Sequence, residues 1–138
     1  MSALAEPFCV PSDQLEAAWP DIARLVSRVT DLPWTLDDVF AELADKRAQC
    51  FGIREGDDVI GVVITRIENT PSHRFGVIWI AAGVAHEAAF AMLRETIEPW
   101  MFEQGCEWVE IQGRKGWQKL LPDYDFASIV LRKYRNVH

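Results

Sequence analysis

The sequence predicts one α/β domain built on a mixed β-sheet, and three observations carry that expectation. Short runs rich in β-branched residues alternate with amphipathic helical stretches along the chain. Two of these runs flank Glu55-Gly56-Asp57-Asp58, a tight-turn sequence that joins neighbouring strands antiparallel. Two others are separated by a helix-length segment, the spacing of a right-handed parallel crossover. Length sets the domain count, because 138 residues hold one core and two domains of half that size would each be marginal. With 49% of the residues apolar and 25% charged, the composition is that of a folding chain.

The elements follow in order. Glu6 to Val10 reads as a first strand, after which Ser12 or Asp13 is placed to cap a helix. Leu15, Trp19, Ile22, Val26 and Val29 are spaced by three and four, one face of that helix, and Pro20 inside the pattern predicts a break or kink. Asp31-Leu32-Pro33 is a turn. Thr35 with Asp38 three residues on resembles a capping box opening a second helix to about Arg47, with Leu36, Val39, Phe40 and Leu43 inward. Gln49 to Arg54 and Val59 to Ile67 form the hairpin. The second of these does not alternate apolar with polar over residues 59–64, which predicts a central strand covered on both faces.

Asn69-Thr70-Pro71-Ser72 breaks the chain before a strand at Phe75 to Ala81. A long helix from about His86 to Gln104 follows, buried through Phe90, Leu93, Ile97 and Trp100, with Pro99 as a possible kink and Gly105 as its C-terminal cap. Glu107 to Gln112 is the next strand, which the crossover places parallel to and beside the one at Phe75 to Ala81. A short helix over Gly113 to Pro122 and a last strand over Phe126 to Arg132 complete the order. The expected core is Leu15, Phe40, Val62, Ile64, Ile78, Phe90, Leu93, Ile97, Val109 and Ile111.

Charge and cysteine usage narrow the function classes. A net charge of −7 argues against nucleic-acid binding, which depends on many Lys and Arg contacts to phosphate. The charge is uneven: residues 1–112 hold 8 Lys and Arg against 19 Asp and Glu, net −11, and residues 113–138 hold 6 against 2, net +4. No apolar run approaches the roughly 20 residues that cross a bilayer, and Met1 to Pro11 lacks the basic-then-apolar order of a secretion signal. A cytoplasmic protein without a membrane partner is expected. Cys9, Cys50 and Cys106 are odd in number and set in apolar stretches, which predicts buried free thiols in a reducing compartment. No metal-ligand spacing, Gly-rich ATP loop or Ser-His-Asp arrangement is visible.

Several residues qualify as candidates for chemistry. His86 opens the long helix and His73 lies in the Pro-Ser loop, while His138 ends the chain. Glu68, Glu107 and Glu110 are strand or strand-end carboxylates of the kind that can act as a base toward an amine. Arg114, Lys115 and Lys119 with Trp117 combine basic and aromatic side chains as binding surfaces do, and they are the expected partner-binding residues.

The order of elements resembles the GNAT superfamily, N-acetyltransferases that bind acetyl-CoA where two parallel strands splay apart. Within it, Gly113-Arg114-Lys115-Gly116-Trp117-Gln118-Lys119-Leu120-Leu121-Pro122-Asp123-Tyr124 looks like a segment shared by small GNAT-like proteins of phages and prophages. Trp19-Pro20 and Glu103-Gln104-Gly105-Cys106 are also similar to that group. The resemblance implies a GNAT-like acyl-CoA N-acyltransferase fold over the whole chain. It places the cofactor-binding positions, in vestigial form, at Ala82, Gly83, Val84, His86, Glu87 and Ala88.

The family's Gln or Arg that opens this loop is missing, and Glu87 brings a carboxylate to a helix start that otherwise favours phosphate. Aligning Asp125-Phe126 with the family's closing Gly-Phe puts Arg114 at its Asn, Trp117 at its Ala and Leu121 where its general-acid Tyr stands. Tyr124 lies three residues further on, across Pro122. The catalytic residue is therefore unassigned and no cofactor is expected, with acetyl-CoA the cofactor if the protein is active. The resemblance implies a protein partner in a phage virion or the host cell, hence a location in the host cytoplasm or virion; a homo-oligomer is possible. An active acetyl-CoA-dependent N-acetyltransferase is the alternative, and a small-ligand sensor using the same cleft is a third reading.

Overall fold

The computed structural model describes residues 5–29, 33–83, 86–111, 124–125 and 132–133. Along them run β1 (Ala5–Val10), a 3-10 turn (Ser12–Gln14), α1 (Leu15–Val26), α2 (Leu36–Ala44), β2 (Ala48–Glu55), β3 (Asp58–Asn69) and β4 (Arg74–Gly83). Then come α3 (His86–Met92), a π-helical turn (Leu93–Ile97), α4 (Glu98–Glu103) and β5 (Val109–Ile111). The expected helix over 113–122 and the strand beginning at Phe126 lie outside the described residues.

The strands lie in chain order, β1-β2-β3-β4-β5. The first three pairings are antiparallel. β4 and β5 are parallel, Gly76 beside Val109 and Ile78 beside Ile111, as the crossover spacing requires. The β2–β3 hairpin turns at the predicted residues: Glu55 pairs with Asp58, and Gly56 supplies the left-handed φ of +62° that a two-residue turn needs. β3 is central, with Val62 and Ile64 packed toward α1 and α2 and Val63 toward α3 and α4.

Local chemistry accounts for the helix ends. At α2 the Thr35 hydroxyl accepts from the Asp38 N–H at 3.1 Å and the Asp38 carboxylate accepts from the Thr35 N–H at 2.9 Å, a reciprocal capping box. The helix stops at Ala44, earlier than Arg47, because the chain turns through Lys46 at φ +62°.

Two expectations for the first helix need correction. Neither Ser12 nor Asp13 caps it, since both are taken into the 3-10 turn and Gln14 precedes the helix without a side-chain cap. Pro20 does not break it either, because α1 is continuous across the proline. The lost bond is that to the carbonyl of Glu16, one turn back at an exposed position where water can serve the freed oxygen.

Pro99 does leave its mark. The proline ring would crowd the carbonyl four residues earlier, and the helix widens just before it, the Glu98 N–H reaching back five residues to the Leu93 carbonyl.

Apolar side chains form one cluster on each face of the sheet. Of the ten expected core residues, Leu15, Val62, Ile64, Ile78, Leu93 and Ile97 are buried. Phe40, Phe90, Val109 and Ile111 are half-buried. Cys50 and Cys106 are buried thiols, but Cys9 is exposed. Strand alternation explains this, since Phe8 and Val10 on either side of it turn inward. Burial pushes the Cys50 thiol up to about 12.

Candidate functional site

The predicted cofactor segment sits where β4 hands over to α3. Two residues of sequence separate the two elements, and both, Val84 and Ala85, lie outside the described residues. Gly83 ends β4 with φ +126°, a conformation side chains avoid. A Cβ on it would run into the Ile60 carbonyl and approach the Gly61 Cα to 2.6 Å. Its glycine is thus explained by the close approach of β3. Ala82 is half-buried toward the α1 side, Ala88 toward the α3 side. His86 is the first residue of α3, and Glu87 in the first turn is exposed.

The cavity at this junction is small. It has about 50 Å³, lined by Ile53, Val62, Ala81, Ala82, Gly83 and Ala89 among others, and no lining side chain among the described residues is basic. A pyrophosphate needs several inward N–H donors or cations. The described lining offers that group no cation.

A second cluster, largely unanticipated, lies on the α2 side of the sheet. β4 carries a bulge at Trp79: Ile64 pairs with Ile80 but Thr65 pairs with Ile78, so Trp79 is the extra residue. A bulge shifts the alternation by one. Ile78 accordingly packs toward α3, while both Trp79 and Ile80 turn toward α1 and α2.

Trp79 meets Trp34 edge to face at 5.3 Å. The Arg66 guanidinium stands 5.1 Å from the Trp79 ring and 5.9 Å from the Trp34 ring, a cation–π arrangement. Two carboxylates reach the same guanidinium, Glu68 at 3.0 Å and Glu42 at 3.6 Å. Arg66 Nε is close to Glu68 but not aimed at it, so this nitrogen is buried without a hydrogen bond. Arg47 hydrogen-bonds Glu42 at 3.1 Å, which together with the Arg47 and Arg66 charges holds Glu42 below the usual carboxylate range against the opposing effect of burial. Trp34 is 40% exposed. The cluster offers a ring for stacking, with its charges already matched.

The other candidates are held in local contacts. His73 Nδ1 lies 3.0 Å from Glu107 Oε2, and the Arg74 N–H donates to the same oxygen at 3.1 Å. The backbone bond from Arg74 and the histidine contact lower the Glu107 pKa. Arg74 Nε also donates to the Gln104 carbonyl at 2.8 Å, pinning the β3–β4 turn to the end of α4. Glu110 accepts from the Trp108 indole at 2.9 Å. The Tyr124 hydroxyl donates to Glu98 on α4 at 2.7 Å.

These groups are not brought together with the cofactor segment. His73 and Glu107 sit at the Arg74 end of β4, and Gly83 is at the other, roughly 30 Å away at strand rise. Arg114, Lys115, Trp117, Lys119 and His138 lie outside the described residues. Sequence reasoning missed Trp34, Arg66 and Trp79 as a group. The one signal available was an arginine and a tryptophan on two predicted strands with a second tryptophan just past a predicted turn, and residue spacing does not show that strand pairing brings them together.

Comparison with known proteins bears on the fold. No protein-family model matches the sequence, and no curated protein matches it. Solved structures do match. An aminoglycoside acetyltransferase from an uncultured soil metagenomic sample, solved with sisomicin, is 13% identical, covers 97% of each chain and superposes with a TM-score of 0.67. Glucosamine-6-phosphate N-acetyltransferase from Arabidopsis thaliana is 13% identical over 96% of this chain and 99% of its own, with a TM-score of 0.67. An aminoglycoside 6'-N-acetyltransferase from Acinetobacter haemolyticus is 14% identical over 98% and 99%, with a TM-score of 0.68. At such identities the likeness shows the fold alone, and the fold is that of the GNAT acetyltransferases.

Proposed function

We propose that this chain uses the GNAT scaffold for protein recognition, as a virion component or a host-interacting accessory protein, and does not turn over acetyl-CoA. The observation that supports this reading is the β4–α3 junction. Its glycine is committed to packing against β3, its cavity of about 50 Å³ has aliphatic walls, and the exposed carboxylate in the first helical turn is that of Glu87. In this reading the basic residues Arg114, Lys115 and Lys119 orient an acidic partner surface.

Calorimetric titration with acetyl-CoA tests it. The expected dissociation constant is weaker than about 0.1 mM, less than roughly 5.5 kcal/mol of favourable free energy. Micromolar affinity would overturn the proposal.

A second reading, an active acetyl-CoA-dependent N-acetyltransferase, is supported by the names of the similar folds, which are acetyltransferases. Its signature is release of free CoA thiol when the protein meets acetyl-CoA and an amine panel. The first reading expects no release above the protein-free rate.

A further inference from the structure

A separate cleft of about 430 Å³ opens between α1 and the β1 side of the sheet. That volume is within the roughly 300 to 1,000 Å³ of small-molecule sites, and several times that of the β4–α3 cavity. Its floor is apolar: Ile22, Val59 and Val62 are buried, and Phe8, Val10 and Ala18 pack on them half-exposed. The exposed parts of Phe8, Val10 and Ala18 are wetted, so an aliphatic group laid over them would gain the corresponding burial.

The rim adds a charge. Arg54 stands at the mouth with its guanidinium 4.2 Å above the Phe8 ring, and no carboxylate among the described residues is within ion-pair distance of it. Asp21, the acidic residue of the rim, is instead paired with Arg24 at 3.4 Å. Arg24 is further fixed by its bond to the Val59 carbonyl at 3.1 Å. Glu6 stands opposite Arg54 across the β1–β2 pair without forming an ion pair with it, so Arg54 is the cation this cleft offers a ligand among the described residues.

The geometry points to a binding site for a small aliphatic carboxylate, its tail along Phe8, Val10 and Ala18 and its carboxylate on the Arg54 guanidinium. An apolar floor supplies affinity without direction, and a single unpaired guanidinium at the mouth fixes which end of the ligand faces outward. This site is independent of the reading of the β4–α3 junction and holds whether or not acetyl-CoA binds.

Calorimetric titration with octanoate, and with 1-octanol as the neutral counterpart, tests the site. Octanoate should bind saturably, and 1-octanol should require about tenfold higher concentration, equivalent to ~1.4 kcal/mol. Arg54→Gln, whose folding is checked by its melting temperature, should weaken octanoate binding about tenfold and leave that of 1-octanol unchanged. Absence of octanoate binding, or equal affinity for octanoate and 1-octanol, overturns the proposal. An unchanged octanoate affinity in a folded Arg54→Gln protein does the same. If that variant fails to fold, the octanoate and 1-octanol contrast in the native protein decides.

Discussion

The two faces of the sheet are finished to different standards. On the α3–α4 side Ile97 and Met101 are fully buried, and the Met101 sulfur occupies the place a Cβ on Gly76 would take. On the α1–α2 side Leu25, Val39 and Ile64 are as well buried, yet the packing gives out toward β1 and leaves the 430 Å³ cleft beside Ile22. The closely filled face carries the parallel crossover, which a loose helix could not hold in register. The other face is left partly open toward β1, with Phe8, Val10 and Ala18 half-exposed along the cleft.

That contrast predicts unequal costs for the same chemical change. Ile97→Ala leaves a closed void and should destabilise by about 3 to 5 kcal/mol in urea denaturation. Ile22→Ala enlarges a cleft already open to water, so its cavity penalty shrinks and about 2 to 3 kcal/mol is expected. Equal losses would break the comparison.

A smaller effect concerns how α2 is held on the open side. Thr35→Ala removes the accepting hydroxyl of the capping box and should cost about 1 kcal/mol, while Thr35→Ser, which keeps the hydroxyl, should cost only a fraction of that in the same denaturation experiment. The smallest effect belongs to the exposed tie between the β3–β4 turn and the start of β5. Glu107 has its folded pKa lowered from 4.5 by the Arg74 N–H and His73. Its contribution is therefore present above that value and fades as pH falls through the folded pKa. Glu107→Gln should lower the melting temperature slightly above about pH 4.5, and the difference from the native protein should close as pH falls through the folded pKa, flattening the acid limb. A variant that lost stability equally at all pH values would show the tie to be packing rather than charge.

The framework was legible in the residues because each element repeats its own period. The hairpin turn, the capping box, the doubly covered β3 and the parallel β4–β5 pair all follow from local patterns. What escaped were features that depend on a neighbour. Cys9 is apolar in its run, but which face of β1 is covered is decided by α1. Pro20 signals a break, but its position one turn into the helix and beside solvent makes the lost bond cheap. Gly83 reads as a glycine for phosphate, and only the β3 backbone beside it reveals a packing role. The Trp34–Arg66–Trp79 group is brought together by the β3–β4 pairing and by the approach of the segment before α2, neither of which is written in a local pattern.

The π-helical turn at Leu93–Ile97 makes the long helix a spliced object. One more residue is present in that turn than α geometry requires, so the two halves are indexed differently against the sheet. Closing this turn into regular α form with every residue kept would swing each side chain beyond it by roughly 100° about the axis. Met101 would then leave the hollow over Gly76 and Trp100 would turn toward it, so the wide turn is what keeps Met101 seated on β4.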